Sequence, residues 1–320
     1  MPGYHPTIRT PCKGSSNRLE GYFVGCLCKT MNMHISPIPG VSGDSLLGQL
    51  LSAKASLSAV GGGNVQQRFT DYMGWASTQA DILGRYLRRD DLNNLITTPR
   101  YWTLQGLIPM IESSQGNIGF HGQVSINGLL NPEIAGRNRE LEKIIENIQS
   151  ELSHWKTVEA SVVMADTNIY LHQEQEFEKL PWKKIAEADE KGVHLVIPLI
   201  VIEELDRQKR NNGRAVSKTN LTPVRSRSRV TLRSINELFK KTIEPGQLKE
   251  VDPQAGPVTV SLLLEDPRHV PLQDADGEFL DRARSLKDFI SRDVRVITSD
   301  SAMEFRARSI GLKTKLLEDN

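Results

Sequence analysis

The second half of the chain alternates short apolar, β-branched runs with amphipathic stretches, and this pattern leaves few folds open. The runs Val162–Ala165, Val193–Ile197 and Val294–Thr298 are largely apolar, without the regular polar alternation of a sheet that has one wet face. Strands of this kind are buried on both sides and need helices on both faces, which predicts a parallel sheet. Between them, residues 180–192, 200–210, 228–241, 277–291 and 301–310 read as helices, the first bounded by Pro181 and Gly192 and the last closed by Gly311. Residues 258–266 and 313–317 read as further extended segments.

The first half has a different texture. Val65, Phe69, Tyr72, Ala76, Leu83 and Leu87 follow helical spacing, with Asn64 placed to cap the helix. Short helices are predicted from Asp91 to before Pro99 and over Tyr101–Ile111, then a Gly/Asn/Ser-rich loop over 112–136. Leu141, Ile145, Ile148, Leu152 and Trp155 alternate four and three apart. That spacing suits either a dimerisation seam, giving a homo-oligomer through Leu141, Ile145, Ile148 and Leu152, or a helix packed inside its own domain. Phe69, Tyr72, Trp75, Tyr86, Tyr101 and Trp102 read as core residues or as stacking surfaces for bases. The expected organisation is a disordered tail or mis-assigned start over 1–40, with Met31 and Met33 as alternative starts. A mainly α-helical accessory domain follows over 41–158, then an α/β domain over 159–320.

Composition excludes several classes. Cys12, Cys26 and Cys28 are odd in number and form no CxxC pair, so neither a disulfide framework nor a zinc site is readable. The longest apolar run, Val193–Ile202, is too short for a bilayer, and no signal segment is visible; both observations point to the cytoplasm. The net charge is +1, but Arg207–Lys241 holds eleven Lys or Arg and one acid, Glu237. That strip carries +10, leaving −9 elsewhere (1 minus 10). Within it, residues 213–229 read as a flexible loop, punctuated by Gly, Asn, Ser and Pro. The strip is either a solvated loop or a grip on a nucleic-acid backbone through Arg207, Lys209, Arg210, Arg214, Arg225, Arg227 and Arg229.

Four acids stand where a parallel sheet gathers ligands, outside the carboxyl ends of its strands. Asp166 follows the first apolar run and Asp300 follows Val294–Thr298. Glu204 lies in the helix after the second strand, and Asp276 precedes a helix expected on the same rim. Singly, each could be a helix cap or an exposed residue. Together they form a mutually repelling carboxylate set of the kind that binds a hard divalent cation and works on phosphate esters.

The motifs VVMADTNIYL, IPLIVIEELDRQK, DGEFLDRAR and VRVITSDSAMEFRARSIGL, in that order, resemble the PIN domain of metal-dependent ribonucleases over about residues 162–320. The resemblance is nearest to the PIN domain attached to PhoH-type ATPases, without the ATPase half, since no GxxxxGK[ST] occurs. It implies a PIN-like sheet and four metal-binding acids, Asp166, Glu204, Asp276 and Asp300, with Thr298 or Ser301 orienting the site. Glu203 and Asp206 contend with Glu204, and Asp274 contends with Asp276. The implied activity is Mg²⁺- or Mn²⁺-dependent hydrolysis of single-stranded RNA, leaving 5′-phosphate and 3′-hydroxyl ends. The departure from the family is an insertion over roughly 242–272. Two other readings stay open: a catalytically silent nucleic-acid-binding or scaffolding module, and the toxin of a toxin–antitoxin pair. A haloacid-dehalogenase phosphatase would need a second Asp where Asn168 stands.

Overall fold

The computed structural model describes residues 37–114, 119–188, 192–210, 222–240, 246–248, 257–264 and 269–317. The expected tail over 1–40 lies almost wholly outside the described residues, as do all three cysteines and Arg214.

The first half is helical. It comprises α1 (Gly43–Ser58), α2 (Val65–Leu83), α3 (Arg89–Leu95), α4 (Pro99–Gln105), α5 (Ile108–Ser113) and α6 (Phe120–Thr157). Asn64 caps α2 as expected, its side chain accepting from Gln67 N at 2.9 Å. The loop predicted over 112–136 is corrected: from Phe120 onward it is the first part of α6, nearly half its length. Its Gly and Asn residues, and Pro132 inside the helix, hid the periodicity. The tertiary contacts of Ile126 and Leu130, both buried, outweigh the weak local propensity. Glu133 is buried in the same helix, accepting from the Tyr72 hydroxyl at 3.1 Å and the Thr98 hydroxyl at 2.7 Å. Arg137 stands 3.3 Å away on the next turn.

The seam residues Leu141, Ile145, Ile148 and Leu152 are also buried within the single chain, where α6 packs against α1. α1 presents Leu46, Leu50, Ala53 and Leu57, and the stripe is covered by its own chain, as the reading of a helix packed inside its own domain expects. Of the aromatics, Phe69, Tyr72, Trp75 and Tyr101 are core, while Trp102 is exposed.

The second half is the predicted α/β unit. Its order is β1 (Ser161–Ala165), α7 (Thr167–His172), α8 (Trp182–Ala186), β2 (Val193–Pro198), α9 (Leu199–Gln208), α10 (Val224–Phe239), β3 (Gly246–Gln247), β4 (Val258–Leu263), α11 (Ala275–Ile290), β5 (Val294–Thr298), α12 (Ser301–Ser309) and β6 (Lys313–Leu316). The sheet runs β3-β4-β2-β1-β5-β6, parallel throughout except for the two-residue edge strand β3. Every residue of β2 is buried, as expected of a central strand covered on both faces.

Two sequence expectations change here. The helix predicted over 180–192 is shorter, because α8 stops at Glu187, whose φ of 48° is left-handed. The basic loop ends earlier than expected: Val224 begins α10 directly after Pro223, so Arg225, Arg227 and Arg229 are helical. The insertion over 242–272 supplies β3 and β4, which widen the sheet on the side of β2.

The two halves touch through α1, the end of α6 and α11. A Cβ on Gly43 would stand 2.7 Å from Leu152 Cδ2 and 2.9 Å from Phe289 O, so this approach requires glycine. Arg292 donates to the carbonyls of Trp155, Val158 and Ala160, satisfying orphan acceptors at the end of α6.

Candidate active site

From β1 the chain runs outward to β2 and β4 on one side, and later returns to build β5 and β6 on the other. The reversal between β1 and β5 is the point where open α/β sheets form a ligand crevice. The register pairs Ala165 with Ile297, and Asp166 N donates to Ile297 O at 3.0 Å, which puts Asp166 level with Thr298.

Asp166 is only 5 % exposed. Its Oδ2 accepts from the Thr298 hydroxyl, and its Oδ1 accepts from Ile169 N at 3.1 Å, capping α7. Burial pushes its pKa up to about 6; the Thr298 and backbone hydrogen bonds oppose this, and the charge of Asp276 adds to it. Among the described residues, no cation stands among these influences. Burial also pushes the Tyr170 phenol up, and the charge of Asp166 adds to this.

Thr298 is fully buried and ties two strand ends together, since its oxygen also accepts from Asp300 N at 2.9 Å. Asp300 caps α12, with Oδ1 accepting from Ala302 N at 2.7 Å and Met303 N at 3.3 Å. Its capping role and its place on the rim coexist, because a carboxylate has more lone pairs than the cap uses.

Glu204 is half-buried on α9 and its Oε2 accepts from the Thr167 hydroxyl, directly after Asp166. Glu203 is exposed, and Asp206 pairs with Lys209 and, at 3.5 Å, with Arg210. The helix therefore turns Glu204, not its two rivals, toward the β1 end. On α11 the cap is Asp274, which accepts from Gly277 N at 3.1 Å. Asp276 is left free of that duty. Burial pushes its carboxyl up, with the charges of Asp274 and Asp300 adding and Arg306 opposing. Arg306 lies 2.6 Å from Asp274 and 3.8 Å from Asp276, and it holds the Asp274 carboxyl below the usual range.

The cations of the basic strip divide. Arg207, Arg210, Arg225 and Arg229 are exposed. Lys209 is tied to Asp206. Arg227 is 4 % exposed and donates to Glu174 O at 2.9 Å, so its expected role on the surface is corrected to one inside the fold. Sequence reading missed Thr167 and Arg306. The first stands inside the DTN motif, where its hydroxyl was a visible signal. The second is six residues past Asp300, and no local pattern marks it.

The family model of the PIN domain matches residues 163–318. Residues 163–318 are a PIN domain. PIN domains are generally nucleases and typically use divalent metals. The comparisons with curated proteins and with solved structures return no match. Among the described residues, no helix is long and apolar enough to cross a membrane.

The donor chemistry of this PIN domain fits a hard cation: all four groups are carboxylates, the charge of Asp276 raises the Asp166 pKa, and the charge of Asp300 raises that of Asp276. Among the described residues, however, no three His, Cys, Asp or Glu side chains stand close enough to share one ion as they are arranged.

Proposed function

We propose that the chain is a metal-dependent endoribonuclease that hydrolyses phosphodiester bonds of single-stranded RNA, with Asp166, Glu204, Asp276 and Asp300 as the groups that hold Mg²⁺ or Mn²⁺. The observation that carries this reading is the buried Asp166 carboxyl at the β1–β5 reversal, hydrogen-bonded by Thr298 and Ile169 N but with no described cation beside it. Burying a carboxylate without a counter-charge costs stability, and shifted carboxyls of this kind cluster at functional sites.

A divalent cation held there supplies Lewis acidity and a water nucleophile for phosphodiester hydrolysis. The chain's own residues do the positioning. Thr298 aims Asp166 and holds the Asp300 backbone N–H, Thr167 aims Glu204, and the α12 cap fixes the Asp300 carboxylate. The exposed cations Arg207, Arg210, Arg225 and Arg229 supply a salt-sensitive hold on the RNA backbone. No side chain is needed as a covalent nucleophile.

The test is incubation of the purified chain with mixed RNA and DNA oligomers in Mn²⁺, with chelator and with Asp166→Asn as controls. Intact RNA after incubation with the parent protein rules the reading out.

A second reading, a catalytically silent nucleic-acid-binding module, draws support from one observation: the described acids do not close around a single ion as they stand. That reading requires RNA binding that is independent of metal and gives no products.

A further inference from the structure

The helix that starts at Asp300 carries two exposed side chains that the proposed hydrolysis does not use. α12 turns Met303 and Ala307 into the core and leaves Ala302, Phe305 and Arg306 on its outer surface. Phe305 is 66 % exposed. On a helix, positions three and four apart are neighbours, so Phe305 and Arg306 both border Ala302, whose small side chain leaves the surface between them open. A single exposed apolar residue needs no explanation. Phe305 is distinguished by its company: an aromatic face, a guanidinium and the carboxylate rim lie within two turns of one another.

Arg306 links this surface to the acids. It donates to Asp274 at 2.6 Å and lies 3.8 Å from Asp276. Both partners of the Arg306–Asp274 pair are about half exposed, and an exposed pair of this kind is held weakly. Its guanidinium can therefore exchange a carboxylate for a phosphate, whose oxygens match its donor fork better than an ammonium would. Leu272, also exposed, stands two residues before Asp274, with its N–H held by Glu278 Oε2 at 2.8 Å. The outer surface of α12 thus carries an aromatic face beside a cation that reaches the acids, which is the chemistry that receives a base and its phosphate.

We propose that α12 carries a nucleotide subsite in which Phe305 stacks an unpaired base of the RNA strand and Arg306 holds the adjoining phosphate. A duplex already stacks both faces of its bases, so this subsite selects unpaired strands. The inference rests on the reading of the rim as a nuclease site and adds to it the groups that sort its substrates.

The test uses the full chain carrying Asp166→Asn, so that no cleavage intervenes. Binding of a short fluorescent oligoribonucleotide is followed by anisotropy, with an abasic strand of equal length as the second probe. Adding Phe305→Ala weakens binding of the base-containing strand about tenfold. Phe305→Trp preserves it, and the abasic strand does not distinguish the variants. Equal affinity of Phe305→Ala and its parent for the base-containing strand overturns the proposal, as does equal weakening of both strands, or no binding by the parent. If the unsubstituted chain cleaves RNA while Phe305→Ala binds normally, the subsite falls and the nuclease reading stands. If the chain cleaves nothing while the Phe305 effect persists, the reverse holds.

Discussion

The Thr298 hydroxyl donates to Asp166 across the paired ends of β5 and β1, while the same oxygen accepts the Asp300 N–H at 2.9 Å. One buried hydroxyl thus fixes two of the four rim acids. Thr298→Val keeps the shape and removes the bond. Cleavage is expected to fall about 10- to 100-fold, the usual effect of losing a group that orients a metal-binding side chain. Thr298→Ser restores most of it. Rates and Mn²⁺ affinity by calorimetry check this, and an unchanged Mn²⁺ affinity in Thr298→Val counts against the role.

Asp166→Asn abolishes cleavage without unfolding the chain. The amide oxygen can keep the bond from Ile169 N, and the amide NH2 can donate to the Thr298 oxygen in place of the bond it loses, so the local contacts survive while the charge goes. Circular dichroism and denaturant melts run beside the cleavage assay check both halves of the prediction.

Asp274 and Asp276 separate by function. Asp274→Ala removes the α11 cap and the Arg306 pair, so it lowers the melting temperature and leaves cleavage within a few-fold of the parent. Asp276→Ala does the opposite. Interchanged results would assign the rim position to Asp274.

His194 sets a pH limit on stability that does not depend on the acids. It is buried on β2, with Nδ1 2.7 Å from Thr259 Oγ1 and its ring edge-on to Trp155. Burial, with His154 and Arg292 adding, lowers its pKa to about 4. The unfolded chain therefore binds this proton more readily than the folded one. The resulting stability is fully present above the unfolded value of about 6.5 and is lost as the pH falls toward 4. Folding free energy should drop by about 2 kcal/mol from this group by pH 5. His194→Asn should flatten that slope in urea titrations at pH 7 and pH 5.

Leu141→Ala destabilises the chain by about 2–5 kcal/mol, because it opens a cavity between α6 and its own chain. Sedimentation should give the same molar mass for parent and variant. A change in mass alone would restore the dimerisation seam.

Several features were legible because they are local. The buried runs before Asp166 and Asp300 announced β1 and β5, and the spacing after Asn64 announced α2. The start of α6 was not legible, since Ile126 and Leu130 form a helix among Gly and Asn residues only by packing against the rest of the bundle. Arg227 was misread for the same reason: charge patterning records that it is basic, while its burial depends on how α10 docks on the turn holding Glu174.

The sequence by itself determined the alternation of strands and helices, the PIN-domain motif order and the identity of the acids, all properties of short contiguous stretches. Only the tertiary structure decided that Asp274 rather than Asp276 caps α11, that Glu204 rather than Glu203 meets Thr167, and that Phe305 and Arg306 stand on the rim. Those outcomes depend on strand register and helix rotation, which are set by packing between segments far apart in the chain. A one-residue change of register or a 100° turn of a helix exchanges one acid for its neighbour without altering any local pattern.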